Sequence, residues 1–142
     1  MNVADQHLVI VACQQAVNRF YMGLDSSDMD AVAAAMATEG IWHRQGQALR
    51  GSDAVRQALA QRPAGRNTAH LVQNLVVHVE SPSSARATYF TLVYRFDAAE
   101  PVAAPVPLGA PLSISLNEDR LLRDEQGAWK FLEKQSQRRF VA

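Results

Sequence analysis

Polar side chains interrupt an otherwise apolar run at residues 67–80, NTAHLVQNLVVHVE. His70, Asn74 and His78 follow one another at intervals of four. Side chains on a regular strand alternate between faces, so these three are predicted to share one face that lines a pocket or meets water. A neutral imidazole near pH 7 can take a proton from a carbon beside a carbonyl, or give one to a departing hydroxyl. A structural or surface role for a lone strand histidine is the alternative.

Asp25 ends the first predicted helix, where the helix dipole disfavours a carboxylate. Capping of the next helix explains Asp28 and Asp30 but not Asp25. Asp25 is therefore a candidate for a carboxylate directed into a pocket, or alternatively a turn residue that binds nearby backbone amides. Tyr21 lies four residues earlier on the same helix face. It is a candidate for contacting a substrate carbonyl, or alternatively for packing on a sheet.

Trp42 and Arg44 share a face of a predicted strand in IWHR. If that face looks into a pocket, Trp42 supplies a flat wall and Arg44 a cation for a carboxylate or enolate oxygen. The alternative places Trp42 in the core and Arg44 at the rim. Further candidates for the pocket wall, which no motif ranks, are Asn74, Tyr89, Phe90, Tyr94 and Asn117.

The elements that must position these residues follow from hydrophobic periodicity and turn signals. Helices are predicted at residues 5–24, with Asp5 as its cap, from Ser27 to about residue 37, and at 54–62 behind the cap Ser52-Asp53. Two short strands flank a turn at Gln45-Gly46, and residues 98–111 form a proline-rich connection. Four long strands are predicted at residues 70–80, 85–96, 112–123 and 129–139.

The amino-acid composition limits the classes of function that we expect. The 142 residues fit one domain, residues 1–142, and 14 basic residues balance 14 acidic ones, so neither nucleic acid nor a membrane is an expected partner. The single cysteine, Cys13, is predicted to be a small buried hydrophobe. The N-terminal stretch lacks the pattern of a secretory signal, which favours a cytoplasmic location. His7, His43 and His78 are scattered without matching carboxylates, so we expect no metal and no organic cofactor.

Helices first and long antiparallel strands later predict an α+β fold, with a curved mixed or antiparallel sheet wrapped into a cone around three N-terminal helices. The open end of such a cone is a natural small-molecule pocket. Over roughly residues 9–140 the chain resembles a SnoaL-like member of the nuclear transport factor 2-like superfamily, with a cystatin-like fold. The segments that carry the resemblance are RFYMGLDSSDMDAVAAAMATEGIW, GSDAVRQAL, TAHLVQNLVVHV and GAWKFLEKQSQRRF.

The resemblance is nearest in pattern to the scytalone-dehydratase-like branch. There, an aspartate in a D-S-x-D-x-D stretch pairs with a histidine on the third strand. LDSSDMD matches the first stretch at Asp25, and AHLVQN matches the second at His70. In such a pair the carboxylate fixes the imidazole tautomer and stabilises the imidazolium that forms.

Departures from the family patterns narrow the expectation. A ketosteroid-isomerase-like member needs an acidic base where this chain has Arg44 and a tyrosine where it has Phe20. The scytalone-dehydratase-like branch carries tyrosines where this chain has Leu24 and Arg44. The first difference argues against ketosteroid-isomerase chemistry, and the second argues against the scytalone-type substrate even if the dyad works.

We therefore expect a small acid–base enzyme, a dehydratase (lyase) or an isomerase, acting on a hydroxylated cyclic or aromatic compound with Asp25 and His70. The alternative is a non-catalytic small-molecule-binding or accessory subunit of the same fold. An apolar cyclic ligand is the expected partner in both cases. The resemblance and the apolar positions of the outer sheet face also predict a homodimer through the sheet. Substrate identity and reaction direction stay open.

Overall fold

The computed structural model describes the whole chain, from Met1 to Ala142. Two helices, a two-stranded hairpin and a third helix come first in the chain, and four long strands follow. The elements are α1 (Val3–Asp25), α2 (Met29–Ala34), β1 (Met36–Arg44), β2 (Gln47–Arg50), α3 (Gly51–Leu59), β3 (Arg66–Ser81), β4 (Ser84–Asp97), β5 (Ser113–Arg123) and β6 (Trp129–Val141).

One open, curved sheet contains all six strands, in the order β2-β1-β6-β5-β4-β3. β1 pairs with β6 in parallel, and every other pairing is antiparallel, so the sheet is mixed. The helices pack against this sheet, and α1 makes most of its sheet contacts with β3. The predicted α+β cone is confirmed.

α1 forms because its apolar residues recur every three or four positions, which places them on one face. Val9, Cys13, Val17 and Phe20 on that face are buried in the main core. Asn2, not Asp5, caps the helix: the Asn2 side chain accepts a hydrogen bond from the Asp5 backbone amide at 2.8 Å. The helix therefore begins two residues earlier than the sequence predicted.

α2 is shorter than predicted. Asp28 caps it by accepting a hydrogen bond from the Ala31 amide, whereas Ser27 lies in the turn with φ of 60°. The alanine-rich segment predicted to stay helical instead enters β1 at Met36, which pairs with Phe131 of β6. Sheet pairing overrides local helix propensity here, because propensity differences are small beside tertiary contacts.

The hairpin between β1 and β2 is confirmed. Gln45 and Gly46 connect the strands with φ of 52° and 78°, the left-handed pair that a tight two-residue hairpin requires. α3 follows directly after β2, and no side chain caps its N-terminus, so the predicted cap at Ser52-Asp53 is wrong.

β3 contains a bulge that changes which side chains face the core. The pairing with β4 shifts between Gln73 and Val76, and Asn74 adopts φ of 57°. A bulge inserts one extra residue and so reverses the alternation beyond it. His70 lies on the core side before the bulge and Val77 on the core side after it. The prediction that positions 70, 74 and 78 share a face is therefore wrong.

The proline-rich segment, residues 98–112, has no helix or strand. Its two ends are tied to the sheet by backbone hydrogen bonds, from Ala98 to Gly65 and from Leu112 to Val93. This segment therefore joins β4 to β5 along the edge of the sheet that carries the start of β3. Nowhere does the chain form a helix with the length and apolar character that crossing a membrane requires.

Candidate active site

The end of α1 and the start of β3 bring Asp25 and His70 together. Nδ1 of His70 lies 2.6 Å from Oδ1 of Asp25, and the backbone amide of His70 donates to Oδ2 at 2.7 Å. Thr68 Oγ1 donates to Oδ1 at 2.8 Å. Three donors from one strand thus converge on one carboxylate, which fixes both its position and its rotamer.

This arrangement sets the protonation pattern of the neutral imidazole. Asp25 is an acceptor, so Nδ1 carries the proton and Nε2 keeps its lone pair. Nε2 of His70 makes no hydrogen bond within the protein and is not fully buried. The His70 side chain is 14% exposed. In the neutral imidazole, the nitrogen without a proton is therefore also the one without a partner in the protein.

The charge of Asp25 is stabilised despite its partial burial. Burial alone raises the pKa of Asp25, but the hydrogen bonds from the His70 ring, the His70 backbone and Thr68 outweigh burial and leave the pKa below its ordinary value. Asp25 is therefore ionised at neutral pH, which is the state that stabilises an imidazolium on His70.

Arg62 contacts the pair through Thr68, and sequence reasoning did not identify it. Its Nη2 donates to Thr68 Oγ1 at 2.8 Å, which orients the hydroxyl toward Asp25. Arg62 follows α3 and lies only six residues from Thr68, so the short connection to β3 brings it there. No motif identifies an arginine at such a position before the path of the chain is known.

Tyr21 lies against the ring of His70, with ring centroids 5.3 Å apart and 30° between the planes. The Tyr21 hydroxyl contacts the Tyr89 hydroxyl at 2.9 Å. Tyr89 in turn donates to Asp119 Oδ2 at 2.5 Å and accepts from Lys134 Nζ at 3.1 Å. The Tyr21 hydroxyl thus has one hydrogen-bond partner within the protein, and its contact with a substrate carbonyl stays a prediction.

Asp119 and Lys134 form a buried ion pair that sequence reasoning missed. Nζ of Lys134 donates to Oδ2 of Asp119 at 2.9 Å, and the two side chains are 3% and 1% exposed. Burial raises the pKa of Asp119 and lowers that of Lys134, and the attraction between them opposes both changes. The pair lies directly across the β5–β6 hairpin. A plain count back from the turn at Gly127 would have placed Asp119 opposite Glu133, because the pairing of β5 with β6 shifts by one residue between Arg120 and Leu121.

Trp42 and Arg44 lie on the core side of β1. The Trp42 ring meets Phe20 edge-on at 5.2 Å between centroids, and the Arg44 guanidinium lies 5.5 Å from the Trp42 ring centroid. Both side chains are half-buried. His43 points to the other side and contacts Glu133 at 3.0 Å, as its alternation with Trp42 predicted.

Asn74 lies apart from this group. It is exposed in the bulge of β3, because the reversed alternation directs it away from the face that carries His70. Asn117 is buried beside Tyr89 and donates to Thr91 Oγ1 at 2.9 Å, so it belongs to the polar wall of the cone interior. No group of three metal-ligating side chains occurs in the chain.

Two surface cavities lie away from the dyad. One of about 420 Å³ is formed by the start of α1 and the β5–β6 turn, with Leu8 and Trp129 in its lining. The other, of about 750 Å³, is lined by residues of α2, β1 and β6, including Met36 and Lys130. Neither cavity is lined by Asp25 or His70. Both of these residues are half-buried, where the end of α1 meets the start of β3.

Known structures share this fold. A putative scytalone dehydratase from Novosphingobium aromaticivorans is 16% identical, with a TM-score of 0.80 over 99% of this chain and 91% of that one. The hexachlorocyclohexane dehydrochlorinase LinA-type3 from Novosphingobium barchaimii is 14% identical, with a TM-score of 0.79 over 99% and 93%. An NTF2-like protein with a cystatin-like fold from Novosphingobium aromaticivorans is 20% identical, with a TM-score of 0.71 over 88% and 78%. At these identities the likeness concerns the fold.

The sequence itself gives the family. No curated protein matches it at a significant level. The SnoaL-like domain model matches residues 6–135, which is most of the chain. The protein therefore belongs to the SnoaL-like domain family.

Proposed function

We propose that this protein is a small acid–base enzyme that needs no metal or organic cofactor, a dehydratase or isomerase of hydroxylated cyclic compounds. The observation that supports this most is the accessible Nε2 of His70, opposite an Nδ1 that is hydrogen-bonded to Asp25. A base held this way is ready to accept a proton, and the carboxylate behind it stabilises the resulting charge.

The proposed dehydration proceeds in two proton transfers. Nε2 of His70 takes a proton from the carbon beside a ring carbonyl, and the electrons of that C–H bond form a carbon–carbon double bond. The hydroxyl on the next carbon leaves, and the imidazolium returns the proton to it as water. A positioned acid–base group contributes about 10²–10⁴-fold, so orientation in the apolar cone must supply the remainder.

The ring of Tyr21 lies beside His70, and Trp42 packs on Phe20, the neighbour of Tyr21 in the chain; both rings offer flat surfaces to a cyclic substrate. Tyr89 contributes indirectly, because its hydroxyl holds that of Tyr21 rather than a ligand. Asn74 is not part of this proposal, since it lies on the outer side of β3.

Proton exchange provides the first test. β-Hydroxycyclohexanone in deuterium oxide should exchange the protons beside its carbonyl, or lose water to the enone, faster with the protein than with buffer alone. His70→Gln and Asp25→Asn should abolish the difference, whereas His78→Gln, an exposed histidine on the same strand, should leave it unchanged. Binding of the ketone to all four proteins without any exchange would support the ligand-binding alternative.

We also propose a homodimer through the outer face of the sheet. Leu71, Leu92, Ile114 and Phe140 lie opposite one another on four consecutive strands, on the face away from His70. Leu71 is 44% and Phe140 66% exposed. An apolar row across four strands is typical of a surface that another copy covers.

Light scattering tests the dimer. The wild-type protein should have twice the mass of one chain at micromolar concentration, and Leu71→Lys should shift it toward the monomer. Leu108→Lys is the matched control, because Leu108 is 84% exposed in the proline-rich segment outside the sheet. A monomeric wild-type protein would refute this proposal without affecting the proposed chemistry.

A further inference from the structure

The side of the cone that holds the dyad carries more guanidinium groups than carboxylates. Arg66 and Arg95 share a single partner, Asp97, at 2.9 Å and 2.6 Å. Arg44 and Arg62 form no ion pair with any carboxylate of the chain, although both are half-buried. Arg44 and Arg62 therefore lack a carboxylate in direct contact, although the charges of Asp25 and Asp97 act on Arg62 from farther away.

Both unpaired arginines adjoin the proposed substrate position. Arg62 reaches Asp25 only through Thr68 Oγ1, because the carboxylate is already bound by His70. Arg44 lies over the face of Trp42. Burial is the main cause that lowers the pKa of both guanidinium groups. The charge of Arg62 lowers the pKa of Arg44 further, whereas the charge of Asp25 partly raises that of Arg62.

The neighbouring proline-rich segment does not neutralise this excess of positive charge. The proline-rich segment passes Gly65 at Ala98 and Glu100, but the Glu100 carboxylate makes no ion pair. Partly desolvated like charges repel each other, so their proximity has a cost that a bound anion would remove. Arginine is also the side chain whose planar fork matches a carboxylate with two parallel hydrogen bonds.

We propose that Arg44 and Arg62 bind a carboxylate group of the substrate, so that the natural substrate is a cyclic compound with an acidic substituent. The carboxylate would sit between the two guanidinium groups while the ring rests against Trp42, with the reacting carbon toward Nε2 of His70. This inference builds on the proposed function and names its substrate class. Arg62 would then have two roles: its Nη2 group orients Thr68, and its remaining N–H donors bind the ligand.

A pair of probes of equal shape tests the charge requirement. Naphthoate and naphthamide differ in charge but hardly in size, and NMR titration of the full chain measures both affinities. Naphthoate should bind more tightly, perturb the His70 ring resonances, and weaken as salt increases. Arg44→Gln and Arg62→Gln should each reduce naphthoate affinity by roughly tenfold to a hundredfold, the range expected for a hydrogen bond to a charged group, with little effect on naphthamide.

Arg19→Gln is the matched control, because Arg19 is an exposed arginine of α1 that also lacks an ion pair. It should leave naphthoate affinity unchanged. Arg62→Lys should restore part of the affinity, which separates lost charge from a damaged fold. Equal affinities for the two probes, no binding of naphthoate near His70, or a loss in Arg19→Gln equal to that in Arg62→Gln would each overturn the inference. Those results would leave the proton-exchange test of the dyad intact.

Discussion

Asp25→Asn is the substitution that isolates the role of the carboxylate with the least change in shape. The carboxylate accepts hydrogen bonds from the His70 ring, the His70 backbone amide and Thr68, at 2.6, 2.7 and 2.8 Å. Asparagine has one acceptor oxygen and one amino group at this position. If its oxygen keeps the backbone amide, its amino group must donate to Nδ1 of His70. The imidazole then has to move its proton to Nε2.

The expected cost in stability follows from the change in bond type. All three bonds to the charged acceptor become neutral ones or are lost, and each such change costs about 1 kcal/mol. The Asp25 side chain is 20% exposed, so water compensates only in part. We expect Asp25→Asn to lose about 2 kcal/mol of unfolding free energy, which lowers the urea midpoint by about 1 M.

The stability difference should also depend on pH. The pKa of Asp25 is lower in the folded than in the unfolded protein, so its stabilisation is complete above the unfolded value of about 4 and is lost as the pH falls through the folded value. Urea unfolding at a series of pH values should therefore show the gap between wild type and Asp25→Asn closing in acid. A gap that widens in acid would contradict the proposed network.

Imidazole nitrogen chemical shifts report the tautomer directly. The wild-type protein should show a protonated Nδ1 on His70, and Asp25→Asn a protonated Nε2. With its Nε2 lone pair lost, the variant should also lose about 10²–10⁴-fold in any proton-transfer rate. Asp30→Asn is the control, because that carboxylate is 86% exposed and bound only to Arg56. An unchanged tautomer in Asp25→Asn, or equal stability at neutral pH, would refute this account of the pair.

Three further outcomes test the surrounding framework. Lys134→Met should cost about 3–5 kcal/mol, since it leaves Asp119 buried without its counter-charge, and Lys134→Met combined with Asp119→Leu should be less destabilised than Lys134→Met alone in urea. Cys13 should resist thiol reagents until the protein unfolds, because burial is complete and raises its pKa to about 12; rapid labelling of the native protein would be inconsistent with this packing. Gly40→Ala should destabilise the protein measurably by thermal melting, because the added Cβ would lie 2.5 Å from a backbone carbonyl oxygen of β6, while Gly109→Ala, with open space around it, should melt like wild type.

Much of the fold was predictable because its signals are local. The α1 periodicity, the Gln45-Gly46 turn and the turn ending at Gly127 each follow from a few adjacent residues. The errors occur where tertiary contacts decide. Pairing with β6 ends the alanine-rich helix early at Ala34, and the bulge at Asn74 reverses the faces of β3. A bulge costs only one unpaired residue, so a single sequence gives little warning of it.

The candidate site divides in the same way. Asp25 and His70 could be identified from their sequence patterns, and Tyr21 from its helical spacing to Asp25. Arg62, by contrast, reaches the dyad only because the chain turns from α3 into β3 there. The Asp119–Lys134 pair was missed, because the register shift in the β5–β6 hairpin decides which residues lie opposite each other and the fold buries the pair near aromatic rings.

The amino-acid sequence alone determined the element types, the fold family and the candidate pair Asp25 and His70, because residue spacing and side-chain chemistry are properties of short segments. Only the tertiary structure decided which of the other polar groups lie beside them. In the folded protein Asn74 is exposed, the Tyr21 hydroxyl contacts that of Tyr89, and Arg44 and Arg62 form no ion pair. The physical reason is that distances between remote segments depend on sheet register and curvature, which one-residue shifts can reverse.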